Sequence, residues 1–147
     1  MGLSALVLVC VMCFDPVTPN CQASCAARLL TKQDAQVLLG VIPQALAAKR
    51  IGGKVSIVDW SPGADFRSDM YYFYEVLSSR STDTIPLGNG VIGYFGVNKF
   101  NGQVVELNSD RAAVKGEELK RLQSRLRAKY CISRARELKF GNVPLER

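Results

Sequence analysis

The feature that most constrains the fold is an apolar run interrupted by Asn101-Gly102, which spans residues 91–107. Asn-Gly between two apolar runs is the strongest short-range signal for a β-hairpin, because both residues tolerate positive φ and match the twist of the strands. We therefore predict two antiparallel strands joined by a tight turn at Asn101-Gly102. Both faces of the first strand are apolar, which indicates that one packs under a helix and the other is half covered or binds something.

A long helix is predicted before this hairpin. Thr31 is a typical N-cap, and Asp34 places an acidic side chain in the first turn. Apolar residues then recur at helical spacing up to Gly52-Gly53, which ends the helix. Pro43 falls inside the run and should kink the helix or split it in two, because proline has no backbone N–H to donate.

Two further strands and a second helix complete the pattern. Residues 55–60 and 70–79 are rich in β-branched and aromatic side chains, which is typical of strands, and residues 80–89 form a polar loop. The last helix opens at Glu117, and its apolar stripe consists of Leu119, Leu122, Leu126 and Tyr130. We therefore predict an α+β fold: an N-terminal helix packed on a curved antiparallel sheet of about four strands, plus a C-terminal helix.

Composition narrows the function classes. The chain has 147 residues, a net charge of +6 and no histidine. This length is typical of one domain with a substantial core, and the positive charge favours acidic or anionic partners. The absence of histidine removes the commonest general base and the commonest metal ligand. We expect no cofactor and no metal site.

The N-terminus resembles an export signal. Residues 3–14 are apolar except for Ser4, with no Lys or Arg before them and Asp15-Pro16 after them. The run is too short to span a bilayer but fits the apolar core of a signal peptide. We expect residues 1–27 to be a signal peptide or N-terminal apolar segment and residues 28–147 to form a single α+β domain without a transmembrane helix. The expected location is periplasmic or secreted, and a cytoplasmic chain with a buried apolar N-terminus is the alternative.

The cysteines depend on this processing, because only Cys131 lies outside residues 1–27. Cleavage after Ala26 would leave Cys131 alone, as a small buried hydrophobic residue near a helix end. Cleavage after Ala23 would leave Cys25 and Cys131, which can pair and tie the first helix to the last. Such a bond is worth up to about 4–5 kcal/mol in the chain-entropy model. The sequence leaves both outcomes open.

Two surfaces are candidates for binding. Tyrosine-rich strands form core or protein-contact surface, and the candidate partner-binding residues, beside the loop 80–89, are Trp60, Tyr72, Tyr74 and Tyr94. A basic helix face is most often simply solvated, but it can hold an anionic ligand. The residues of that alternative are Lys120, Arg121, Arg125 and Lys129. No aromatic side chains interleave with them, so nucleic acid is not favoured as a partner.

Asp59 permits a third, catalytic interpretation. An aspartate and tyrosines in an apolar pocket can act as a base and an oxyanion donor, and such a small pocket enzyme would lose its activity in Asp59→Asn. The nearby carboxylates have no spacing that forces any two together. No catalytic residue is therefore predicted.

A family resemblance rests on Tyr72-Phe73-Tyr74-Glu75-Val76 followed by residues 93–105, in a chain ordered helix, strands, helix. Over residues 72–130 this resembles small bacterial proteins with a cystatin-like or nuclear-transport-factor-2-like sheet. Their hairpin carries Val-Asn, two further residues and Thr-Gly-x-Val-Trp, before a helix rich in leucine and arginine. Here Asn101 stands in place of the threonine and Val105 in place of the tryptophan.

The resemblance implies a fold and a role rather than a chemistry. The group includes immunity proteins of polymorphic toxins and secreted domains, and no catalytic residues carry over. The expected function is that of a non-enzymatic exported bacterial protein that binds a partner protein, as an inhibitor or immunity protein does. The alternatives are an envelope module that binds an anionic ligand through its basic C-terminal helix, and a small isomerase-like pocket enzyme.

Overall fold

The computed structural model describes residues 28–80, 90–108, 111–141 and 144–145. Its helices and strands, in chain order, are α1 (Lys32–Leu39), α2 (Pro43–Arg50), β1 (Val55–Asp59), β2 (Tyr71–Ser78), β3 (Val91–Asn98), β4 (Val104–Glu106), α3 (Glu117–Lys129) and α4 (Arg134–Phe140). The predicted α+β class is confirmed. The apolar N-terminal segment and most of the loop 80–89 lie outside the described residues.

The predicted N-terminal helix is two helices. Pro43 occupies the first turn of α2, where its missing N–H is not needed and its fixed φ suits the helix. The predicted interruption at Pro43 is therefore confirmed as a complete break. The predicted cap is also present, because the Thr31 hydroxyl accepts a hydrogen bond from the Asp34 N–H.

The four strands form one antiparallel sheet in the order β1-β2-β3-β4. Pairing of β2 with β3 shifts where Val76 opposes Gly93 and Leu77 opposes Val91, so that Ile92 is an extra residue in β3. Such a bulge bends the strand and increases its local twist. Beyond β4, Ala113 pairs with Val105 and covers that edge of the sheet.

The hairpin between β3 and β4 is present, but its turn differs from the prediction. Gly102 has a φ of 72°, and its N–H donates to the Asn98 carbonyl at 2.9 Å. Asn101 does not adopt positive φ, so this is not the tight turn predicted at Asn101-Gly102. The loop is longer because the buried Asn98 side chain accepts hydrogen bonds from the N–H groups of Phe100 and Asn101. Hydrogen bonds to the buried Asn98 side chain thus hold the loop in place of a compact two-residue turn.

Apolar side chains cover both faces of the sheet. On one face α1, α2 and α3 pack on Tyr74, Phe95 and Val97. On the other face a smaller cluster contains Met70, Tyr71, Phe73, Val105 and Leu145. This arrangement agrees with the apolar character of both faces of β3. Within the described ranges, no helix is long and apolar enough to cross a bilayer.

Helix α4 was not predicted from the sequence. Its N-cap is Ser133, whose hydroxyl accepts a hydrogen bond from the Arg136 N–H, but none of its residues is buried. It lacks the apolar periodicity that identifies helices in a sequence. Phe140 at its end stacks on Phe100 with ring centroids 4.3 Å apart, which fixes the helix beside the β3–β4 loop.

Candidate functional site

A groove of about 450 Å³ lies at the end of β1. The register of β1 and β2 ends with Asp59 opposite Tyr74, and the Trp60 N–H donates to the Phe73 carbonyl. The chain then leaves β2 at Ser61, while β2 itself extends as far as Tyr71. The groove is therefore a notch in the sheet. Its lining comprises Lys32, Asp59, Trp60, Ser61, Pro62, Ser68, Tyr71, Tyr72, Phe73, Tyr74 and Lys99.

Two tyrosine hydroxyls of the groove are engaged with the backbone that enters α1. The Tyr72 hydroxyl donates to the Leu30 carbonyl at 2.9 Å, and the Tyr74 hydroxyl donates to the Lys32 carbonyl at 3.3 Å. Burial raises the pKa of Tyr74 far above its ordinary value, and the negative charge of Asp59 raises it further. Tyr74 therefore stays neutral, and both hydroxyl protons are already donated within the fold.

Charged side chains form the rim of the groove. Lys32 Nζ lies 2.6 Å from Asp59 Oδ2, and the two side chains are 61% and 56% exposed. Lys99 Nζ donates to the Ser68 carbonyl at 2.6 Å and lies 4.7 Å from the centre of the Tyr72 ring. Two lysines and one aspartate leave the groove with one net positive charge. Sequence periodicity gives no sign of the two lysines, which lie far apart along the chain.

Three of the four predicted aromatic residues line the groove, and the fourth lies outside it. Trp60, Tyr72 and Tyr74 line the groove, and Tyr74 is fully buried in its floor. Tyr94 does not line the groove: it pairs with Glu75 on the opposite face, where its ring centroid lies 4.8 Å from that of Trp60. A hydrogen bond with Glu75 raises the pKa of Tyr94. Trp60 therefore connects the groove with the second face.

The predicted loop 80–89 is described only at Arg80, whose guanidinium donates to the Ile51 carbonyl at 2.7 Å.

The four predicted basic residues all lie on α3, where Arg121 and Lys129 are in ion pairs. Arg121 pairs with Glu118 at 2.8 Å, and Lys129 pairs with Asp34 at 3.0 Å. An α-helix turns by about 100° per residue, so Lys120 and Lys129 lie about half a turn apart. Arg121, Arg125 and Lys129 follow one another at intervals of four residues and share one face of α3, whereas Lys120 lies apart from them.

Asp34 joins α1 to α3. It accepts hydrogen bonds from the Lys129 ammonium, the Thr31 hydroxyl and, over a very short distance, the Tyr130 hydroxyl. Desolvation by itself would raise the pKa of Asp34, but the hydrogen bonds from Tyr130, Lys129 and Thr31, with the charge of Lys129, hold that pKa below its ordinary value. These hydrogen bonds hold α1 against the end of α3.

The described part of the chain contains no group of three or more Cys, Asp or Glu side chains placed to hold a metal ion. Cys131 is exposed and disulfide-bonded, which differs from the buried free thiol that was one of the two expectations.

Comparison with known proteins gives one structural likeness. No family model and no curated protein sequence matches this chain. A chain in the structure of a type VI secretion system effector-immunity complex from Pseudomonas protegens is similar to it, with a TM-score of 0.53 and 23% identity. The alignment covers 77% of this chain and 87% of that chain. At this identity the likeness shows a shared fold alone, and the predicted cystatin-like or nuclear-transport-factor-2-like sheet stays a prediction.

Proposed function

We propose that this protein is exported and binds a partner protein through the groove at the end of β1, as an immunity protein binds its effector. The observation that carries the proposal is the notch itself: a concave site with aromatic walls and a charged rim. Protein interfaces are enriched in tyrosine and tryptophan, and their binding energy concentrates in a few anchors that fill such recesses. The half-buried rings of Trp60 and Tyr72 have this character.

The fold likeness supports the same role. A chain with a similar fold belongs to an effector-immunity complex, which is an assembly of proteins. Inhibition by binding requires surface complementarity and no chemistry of the inhibitor's own. A single domain in residues 28–147, with the groove open to a partner, would suffice for this function.

The geometry gives little support to the catalytic alternative. An oxyanion hole needs donors aimed at the reacting atom. The hydroxyls of Tyr72 and Tyr74 instead donate to backbone carbonyls, and Asp59 is paired with Lys32. A protein partner therefore agrees better with the groove than bond-breaking chemistry does.

The disulfide at Cys131 supports export. Disulfides persist in oxidising compartments such as the periplasm and the extracellular space and are rare in the cytosol. A disulfide-bonded Cys131 is thus consistent with a chain that leaves the cytoplasm.

The proposal is tested by affinity capture from extract of the native host, first with the wild-type protein and then with groove variants. Ser61 is exposed and lines the groove, so Ser61→Arg should obstruct it without touching the core. The matched control is Ser56→Arg, at an exposed position of β1 outside the groove. We expect a stoichiometric protein that survives salt of about 1 M, where screening is nearly complete, and that is lost with Ser61→Arg but not with Ser56→Arg.

Other outcomes would overturn the proposal. Equal capture by Ser61→Arg and Ser56→Arg would place the partner elsewhere. Elution of lipid, glycan or nucleic acid at moderate salt, abolished when the four cations of α3 are neutralised, would favour the anionic-ligand alternative. An enzymatic activity that disappears in Asp59→Asn would favour the catalytic one.

A further inference from the structure

The groove offers hydrogen-bond donors that the protein does not use. An ammonium group has three N–H donors and no acceptor. Among the described residues, the only acceptor for Lys32 Nζ is Asp59, and the only one for Lys99 Nζ is the Ser68 carbonyl. Each lysine therefore keeps donors available to a bound group.

The two ammonium groups also repel each other. Partial burial lowers the pKa of Lys99, and the positive charge of Lys32 lowers it further, while Asp69 acts in the opposite direction. Asp69 is itself held by Arg67, whose Nη2 lies 2.9 Å from Asp69 Oδ2. A negative group seated between Lys32 and Lys99 would relieve this repulsion and accept hydrogen bonds from the unused N–H donors.

The remaining lining selects among negative groups. The Tyr72 ring lies beneath the Lys99 ammonium, and Trp60 and Pro62 supply apolar wall suited to a short carbon chain. Asp59 at the rim disfavours a group of more than one charge, such as a phosphate with its charge of about −1.5 to −2. The lining thus suits a single carboxylate on a hydrocarbon stem.

We infer that the groove receives an aspartate or glutamate side chain of the partner protein, seated between Lys32 and Lys99 against the Tyr72 ring. This inference rests on the proposed function and specifies the chemistry of the partner at this position. The carboxylate accepts hydrogen bonds from both ammonium groups, and its stem packs on the aromatic wall.

The test uses the full protein with lysine side chains labelled with carbon-13, observed by NMR. The probe is N-acetyl-glutamate N-methylamide, and the matched neutral probe is the corresponding glutamine compound. We expect saturable shifts at Lys32 and Lys99 with glutamate, at concentrations on the order of millimolar because one ion pair at a half-open site is weak, and no saturable shift with glutamine. Lys54, which is exposed and outside the groove, serves as the control signal.

Variants and a second anion complete the test. Lys99→Met should abolish saturation at Lys32, and Lys54→Met should leave it unchanged. Inorganic phosphate should bind more weakly than the glutamate compound. Equal responses to glutamate and glutamine, shifts as large at Lys54 as at Lys99, or tighter binding of phosphate would each overturn the inference.

The result is distinguishable from failure of the proposed function. With a captured partner, Lys99→Met should weaken binding by about tenfold or more, as expected for a lost ion pair in an interface. Binding that is sensitive to Ser61→Arg but unaffected by Lys99→Met would refute the carboxylate and leave the groove as the interface. Saturable glutamate binding without any protein partner would refute the proposed function and, with it, a partner as the source of the carboxylate, and would leave the groove as a carboxylate site.

Discussion

The link between Asp34 and Tyr130 should be the point at which α1 is most strongly held against α3. Tyr130 is 5% exposed and the Asp34 side chain is 15% exposed, so their hydrogen bond is largely shielded from water. A hydrogen bond to a charged group in such a setting contributes about 1.5–3 kcal/mol. Lys129 is 58% exposed, and its ion pair with Asp34 should add less than about 1 kcal/mol.

We therefore expect Asp34→Asn and Tyr130→Phe each to lower the free energy of unfolding by about 2–3 kcal/mol. The double variant should lose clearly less than the sum of the two single variants, with a coupling energy of about 1.5 kcal/mol or more. Urea denaturation followed by circular dichroism measures all four proteins. The control is Asp59→Asn, which removes an exposed ion pair and should cost no more than about 1 kcal/mol.

The same carboxylate should make stability depend on pH. The pKa of Asp34 is lowered in the folded protein, so the unfolded chain binds its proton first as the pH falls. The contribution of Asp34 is thus complete above the unfolded pKa of about 3.9 and is lost as the pH falls through the lower folded pKa. Asp34→Asn should reduce the slope of stability against pH in this range. A coupling energy below about 0.5 kcal/mol, or an unchanged slope, would refute this account.

Two further predictions concern the hairpin and the disulfide. Asn98→Ala should lower the free energy of unfolding in urea by about 2–4 kcal/mol, because the N–H groups of Phe100 and Asn101 lose their acceptor; the exposed Asn108→Ala should stay within about 0.5 kcal/mol of wild type, and equal losses would contradict this reasoning. Peptide mapping of the oxidised protein should find Cys131 cross-linked, and Cys131→Ser should remove the cross-link; a free Cys131 thiol in protein from an oxidising compartment would refute it.

Local rules predicted the elements that depend on neighbouring residues. The break at Pro43 and the cap at Thr31 follow from covalent structure and from one backbone N–H within reach, so the sequence was sufficient to predict them. The antiparallel strands followed from the Asn-Gly signal and from runs of β-branched and aromatic residues. The prediction of a tight turn at Asn101-Gly102 was wrong in detail. The buried side chain of Asn98 competes with the turn geometry that the Asn-Gly pair favours.

The candidate site could be located only from the tertiary structure. The sequence indicated Trp60 and Tyr72 as binding residues, but it did not reveal that β1 ends early and leaves a notch beside β2. Nor does any periodic pattern bring Lys32 together with Lys99, or Asp34 with Tyr130. Propensity and patterning act over a few residues, whereas these contacts depend on how the helices pack on the sheet. The sequence by itself determined the class of fold and every helix and strand that carries an apolar or turn signal, which α4 lacks. Packing between distant segments decided where charge and aromatic surface meet.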